Sequence, residues 1–290
     1  MQYHIPVLLK ETLDLLIVDP KGVYVDCTFG GGGHTKAILD NFPESSVAAF
    51  DLDEAARKNY ERMKPVYGKR LTFFKENFKN IKDVLSKNNI LNVSAILADI
   101  GVSSKQFDDM DRGFSFNSNF LDMRMGADIG ISAKEVVNSY PESDLADIIY
   151  KYGQEHYSRQ IAKAIIAARR RGVINSGASL AQIVESVKWR KGKIHPATLT
   201  FQALRIYVNG ELENLETLLV DFPQILKSQG RIGIMSYHSL EDTMVKHAFK
   251  KYRDLKALNI LTKKAVTASE EEMRLNPRAR SAKFRVAEII

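Results

Sequence analysis

Apolar runs recur at an even interval through the first third of the chain. Val23-Tyr24-Val25-Asp26-Cys27-Thr28 is followed by Val47-Ala48-Ala49-Phe50-Asp51-Leu52, then by Leu71-Thr72-Phe73-Phe74-Lys75 and by Val93-Ser94-Ala95-Ile96-Leu97-Ala98-Asp99. Starting at residues 23, 47, 71 and 93, they leave room in each interval for a strand, a helix and two short loops. Between them, residues 34–41, 54–67 and 78–87 have helical character, the last with Asn77 as N-cap. Short apolar strands alternating with helices pair in parallel through right-handed crossovers, because a hairpin cannot join parallel neighbours. The pattern predicts a doubly wound α/β sheet.

From about residue 107 to residue 204 the strand pattern gives way to helical periodicity. Helices are predicted over 141–152 and 154–171, ended by Gly153 and Gly172, and over 178–189. A long helix is expected over 201–226, then a buried strand over 231–236 and a helix over 240–252. The alternation in Lys283-Phe284-Arg285-Val286-Ala287-Glu288-Ile289 suits a half-exposed antiparallel edge strand. The economical organisation is an α/β domain built from residues 1–106 and 205–290, interrupted by a helical insert over 107–204.

Composition narrows the class without naming it. The 290 residues are 44% hydrophobic and 27% charged, which excludes disorder, collagen and coiled coil as whole-chain descriptions. No apolar run approaches the roughly 18 residues of a membrane span, and residues 1–11 lack the features of a secretory signal. The single cysteine, Cys27, forbids an internal disulfide and any multi-cysteine metal site, so a reducing, cytoplasmic compartment is expected; no compact ligand cluster suggests a structural metal, and any metal requirement of the reaction stays open. In a buried strand it is a small core residue rather than a nucleophile. Forty-two basic against 35 acidic residues give a net charge of +7, which suits a polyanionic partner.

The candidate chemistry begins at the first strand-to-helix turn, Asp26-Cys27-Thr28-Phe29-Gly30-Gly31-Gly32-Gly33-His34-Thr35. Four glycines remove every Cβ from the bend, so a ligand can approach the backbone closely, and ligands of doubly wound sheets bind at this end of the strands. G-x-G-x-x-G fits poorly, because Thr35 or Lys36 falls where a small residue belongs, and G-x-x-x-x-G-K-[ST] is absent. Asp51, ending the second strand, stands where a carboxylate accepts hydrogen bonds from ribose hydroxyls. Asp53 either shares that role or caps the next helix, and Asp99 ends the fourth strand at the same crevice. A nucleoside ligand without a pyrophosphate fits best, with S-adenosylmethionine the obvious candidate.

At this point the sequence resembles the bacterial ribosomal RNA small subunit methyltransferase H family. Eight ordered blocks carry the resemblance: His4 to Leu9, the Asp26 to Thr35 loop, Asp99 to Ser104, Arg112 to Phe116, Leu121 to Met125, His195 to Arg205, Ser236 to Asp242, and Asn276 to Ser281. The resemblance implies a class I S-adenosylmethionine-dependent methyltransferase sheet and methylation of N4 of a cytidine in 16S rRNA of the small ribosomal subunit. Carried over by position, the cofactor contacts fall on Gly32, Gly33, His34, Asp51, Phe78, Asp99 and Gln106. Lys105, Phe107, Leu199 and Thr243 depart from the family's usual proline, leucine, arginine and arginine. A homodimer is among the assembly states left open, and no membrane partner is expected.

Several residues carry two readings. His34 contacts the cofactor or starts a helix, and the resemblance favours contact. Phe114 and Phe116 stack on an extruded base or anchor their loop. Asp122 and Arg124 form a site pair or a plain salt bridge. Asp99 and Asp122 are the two candidate acceptors of the N4 hydrogens, Asp122 taking the role if the cofactor occupies Asp99. From Arg159 to Lys193 there are nine basic residues and one acidic one, Glu185, which favours phosphate contact by the insert, Arg169, Arg170 and Arg171 included.

Overall fold

The computed structural model describes residues 6–126, 130–189, 192 and 194–290. Residue contacts group the chain into two compact units, Met1–Gly101 with Leu212–Ile290, and Val102–Glu211. The joins therefore fall at 101/102 and 211/212, where the sequence pattern placed them at 106/107 and 204/205. The helix Thr198–Asn209 belongs with the insert because it buries Phe201, Ala203 and Leu204 beside the helix Glu142–Gly153.

The first unit is a mixed sheet of β1 (Val23–Asp26), β2 (Ser46–Phe50), β3 (Leu71–Phe74), β4 (Val93–Asp99), β5 (Leu226–Ser236), β6 (Leu258–Ile260) and β7 (Lys283–Ile289). Their order is β3-β2-β1-β4-β5-β7-β6. The first five are parallel, with Val25 facing Ala48 on one side and Ile96 on the other, and β7 runs antiparallel between β5 and β6. The order reverses between β1 and β4, so a crevice opens beyond the carboxyl ends of these two strands.

Alternation along the strands divides the core into two layers. Val25, Cys27, Phe50, Ile96 and Ala98 face the helices Ile81–Lys87, Glu211–Ile225 and Ser239–Asp254 through Leu85, Phe222 and Phe249. Tyr24, Val47, Ala49, Ala95 and Leu97 face the helices Leu9–Leu16, Gly33–Asn41 and Glu54–Tyr67 through Leu16, Ile38 and Ala56. Each fully buried large side chain of this kind contributes roughly 1.5–3 kcal/mol relative to exposure, which fixes register firmly on both faces.

Four local expectations are corrected. The helix expected over 201–226 is two helices, Thr198–Asn209 and Glu211–Ile225, because Gly210 adopts φ 58 between them. Gly153 lies inside the helix Glu142–Gly153, which ends instead on left-handed Gln154, and the next helix begins only at Ser158. A Cβ on Gly153 would come within 2.5 Å of the Leu199 carbonyl oxygen, so helix packing requires the glycine. The strand expected over 231–236 starts at Leu226, with an irregular register against β4 between Val93 and Ala95. Finally, β7 is an inner strand: three-residue β6 covers its outer side, too short a run to leave a periodic signal. The helices Leu9–Leu16 and Glu270–Leu275 were not anticipated.

Candidate active site

The glycine bend is built to stay open. Gly30 and Gly32 adopt φ 50 and 74, which L side chains rarely accept. A Cβ on Gly32 would stand 2.6 Å from the Met63 sulfur, and one on Gly33 2.4 Å from Pro6 Cγ. The helix Gly33–Asn41 starts from left-handed Gly32 without a side-chain cap, the kind of helix start that an anionic or polar ligand can occupy. Asn59 Nδ2 donates to the Gly30 carbonyl (2.9 Å) and fixes the far side of the loop. His34, which is buried, places Nε2 3.0 Å from the Val7 carbonyl oxygen. It thus ties the preceding chain to the start of this helix, a role neither sequence reading contained.

Three carboxylates surround the crevice. Asp26 is buried and accepts from Thr35 Oγ1 (2.7 Å) and the Thr28 N–H (3.1 Å), while the Thr28 hydroxyl accepts from the Asp99 N–H (2.8 Å). This short network locks β1 to β4. Asp51 accepts from the Gly30 N–H at 2.7 Å and the Asp53 N–H at 2.8 Å, one on each oxygen. Burial nevertheless pushes its carboxyl up to about 6, because those two bonds only partly offset desolvation. Asp53 caps the helix Glu54–Tyr67 through the Ala55 N–H at 2.8 Å, the second of its two expected roles. Burial also raises the Asp99 carboxyl, against the opposing effects of His34 and of the Tyr237 hydroxyl, which donates to Asp99 Oδ1 at 2.6 Å. Phe78 opens a 3₁₀ turn after β3 and is half-buried against the core layer containing Phe50.

In the second unit, Gln106 is buried and forms a reciprocal capping box. Its Oε1 accepts from the Ser103 N–H (2.9 Å), and its own N–H donates to Ser103 Oγ (3.2 Å). Asp122 and Arg124 form a two-pronged pair, Nε and Nη2 each 2.8 Å from a carboxylate oxygen. Partial burial works to raise the Asp122 carboxyl, and the Arg124 guanidinium and N–H outweigh it, holding it below its usual range. The loop around them is rigid. Met123 adopts φ 63, Arg112 donates to the Arg124 and Met125 carbonyls, and Asn209 bonds both the Met125 N–H and the Met123 carbonyl.

Residues 1–290 match the model of a protein family described as the MraW methylase family. The chain belongs to the MraW methylase family. It is 55% identical over 286 residues to a protein of Endomicrobium trichonymphae named Ribosomal RNA small subunit methyltransferase H, covering 99% of this chain and 98% of that one. Proteins of the same name from Wolbachia sp. subsp. Drosophila simulans (strain wRi) and Rickettsia akari (strain Hartford) are 47% and 46% identical. The matches cover 97% of both chains in the first case, and 100% of this chain and 99% of its relative in the second. In this fold the Gly30 N–H reaches Asp51, and Asp99 joins Thr28 and Asp26 where β4 and β1 end.

Other expected residues separate by environment. Cys27 is buried, and burial pushes its thiol well above the ordinary range, which makes it inert. Phe114 is buried, and Phe116 stacks on His195 with ring centroids 4.2 Å apart, so both rings anchor their loop in this structure. Arg169 donates to the Val137 and Tyr140 carbonyls at 3.1 and 2.7 Å, closing the end of the helix Ala133–Ser139, and Lys188 pairs with buried Glu155. Arg159, Lys163 and Arg170 are exposed, and at 100° per residue the helix sets them within about 40° of one another. His4, Ile5, Arg190, Lys191 and Lys193 lie outside the described residues. Among the described residues no helix is long and apolar enough to cross a membrane. Tyr237 and Glu241 were missed as site residues; their block, Ser236 to Asp242, was the only available signal.

Proposed function

We propose that this protein transfers a methyl group from S-adenosylmethionine to N4 of a cytidine in 16S rRNA of the small ribosomal subunit. The observation that carries this reading is the Cβ-free bend at Gly30 to Gly33, facing a carboxylate whose two oxygens are held by backbone N–H groups. That pairing fits a nucleoside with a free ribose: the bend admits the donor's polar tail, and Asp51 keeps lone pairs for its hydroxyls. Gly32, Gly33 and His34 line the bend, and Phe78 and Gln106 are cofactor contacts by the family resemblance alone. When bound, the cofactor supplies a sulfonium-activated methyl carbon.

What remains for the protein is to position and polarise N4, whose lone pair is delocalised into the cytosine ring. Asp99 accepts a hydrogen bond from the N4 amino group, which enriches nitrogen in electron density, and it takes the proton that N4 releases. Its raised pKa suits proton uptake better than that of Asp122, which Arg124 holds low. Asp122 is instead a rigid acceptor for an RNA donor. The helical insert recognises RNA, with Arg159, Lys163 and Arg170 meeting phosphates. The activity belongs in the cytoplasm, where the subunit is made, and the same scheme serves a monomer or a homodimer.

The test is incubation with isotopically labelled S-adenosylmethionine and small subunits lacking the modification, followed by mapping of the label. Label on N4 of a 16S cytidine is expected. Label on another atom or another RNA would overturn the substrate, and none at all would overturn the activity.

A further inference from the structure

The Ser236 to Asp242 block is not needed to explain cofactor binding, yet it delivers a phenol to Asp99. We propose that Tyr237 is a positioning residue for the acceptor carboxylate: its hydroxyl pins Asp99 Oδ1 and leaves Oδ2 to receive the N4–H. This inference rests on the reading of Asp99 as the acceptor.

The geometry is specific. Asp99 ends β4 and Tyr237 follows the last residue of β5, the parallel neighbour, with Met235 opposite Asp99 in register. The hydroxyl donates at 2.6 Å across 138 residues of sequence. The backbone that carries the ring is held in turn. Glu241, fully buried, accepts from the Tyr237 N–H at 2.9 Å and from the His238 N–H at 3.3 Å, and His238 caps the helix Ser239–Asp254. On the other side the Ile100 N–H donates to the Met235 carbonyl at 3.1 Å. Gly101 then turns with φ 125, and a Cβ there would rest 3.6 Å from the Tyr237 ring.

The chemistry follows from which partner keeps the proton. Tyr237 is surrounded by negative charge from Asp99, Glu241 and Glu272 and is desolvated, so its own ionisation is pushed far up and it remains a donor. Asp99 faces Asp26 and Glu241, which raise its carboxyl, and His34 and the Tyr237 hydroxyl, which lower it against the dominant effect of burial. The phenol therefore offsets part of the upward push of burial and holds the carboxylate in one rotamer. A carboxylate with one oxygen anchored presents the other in a fixed direction.

The test compares Tyr237→Phe with the parent and with site-specific 3-fluorotyrosine at 237, a more acidic and stronger donor. The Asp99 carboxyl is titrated by carbon-13 NMR in ligand-free protein, and single-turnover methylation is followed against pH. Tyr237→Phe should raise the Asp99 titration by about one pH unit or more. It should move the acid limb of the rate by the same amount and lower the plateau rate about tenfold. Affinity for S-adenosylhomocysteine at pH 8 should not change. The fluorinated residue should move both titrations the other way. A lower rate with unmoved Asp99 titrations in both proteins would overturn the inference and leave Tyr237 a structural residue. Asp99→Asn turning over like the parent would instead overturn the acceptor reading beneath it.

Discussion

Acidifying the solution from pH 8 to pH 5 should weaken binding of S-adenosylmethionine or its demethylated product about tenfold through Asp51 alone. In the ligand-free protein its carboxyl titrates at about 6, because burial outweighs the hydrogen bonds from Gly30 and Asp53. Ribose hydroxyls donate to a carboxylate and not to a protonated acid's O–H, so the complex favours the ionised form and lowers the pKa. One pH unit below 6, about one protein molecule in eleven carries the ionised group, which converts to roughly 1.4 kcal/mol of lost affinity. Folding stability moves in the opposite sense. An unfolded aspartate titrates near 3.9, so the raised folded value contributes stability that is complete below about pH 4. That contribution is lost as pH rises through about 6. Calorimetry with S-adenosylhomocysteine in two buffers of different ionisation enthalpy counts the protons released, and about half a proton is expected at pH 6. Asp51→Asn should remove this component and weaken binding at pH 8 by about tenfold to a hundredfold, the worth of hydrogen bonds to a charged acceptor. Parental affinity that is flat between pH 5 and 8, or an acid slope kept intact in Asp51→Asn, would refute the reasoning.

Four further outcomes are expected. Gly32→Ala forces a side chain into φ 74 and against Met63 and Phe29, so denaturant titration should show a loss of at least about 1 kcal/mol; unchanged stability would contradict the tight bend. Joint Arg159→Glu, Lys163→Glu and Arg170→Glu should flatten the salt dependence of RNA binding by about two in the log–log slope, at about 0.7 per single-strand phosphate, with cofactor affinity unchanged. Arg169→Glu should chiefly lower the melting temperature, since that guanidinium holds the Val137 and Tyr140 carbonyls; parental melting would show those bonds to be dispensable. Cys27 should react with a thiol reagent only at the rate of global unfolding, and rapid native-state labelling would show that β1 is less enclosed than the structure has it.

Sequence period and structure agree most closely where the physics is local. The β1 to β4 segments announce themselves because each must bury apolar residues on both faces of the sheet, and the helices between them obey their own 3.6-residue period. Gly153 shows the opposite case. A glycine near a helix end resembles a terminator, yet its neighbour in space is the Leu199 carbonyl, which no window around residue 153 contains. Arg169 and Lys188 make the same point about charge. A run of cations looked uniform along the chain, but two of them are engaged by Tyr140 and Val137 carbonyls and by Glu155.

The chain by itself determined the βα rhythm, the Cβ-free bend and the acidic strand ends, because backbone freedom, alternation and strand-end chemistry are properties of residues adjacent in sequence. Tertiary structure alone decided that Asp51 is desolvated, that Arg170 rather than Arg169 faces solvent, and that a phenol from beyond β5 meets the carboxylate ending β4. Those outcomes depend on which strands lie side by side. The packing of β5 against β4 brings Tyr237 to Asp99 across 138 residues, and no shorter-range rule contains that distance.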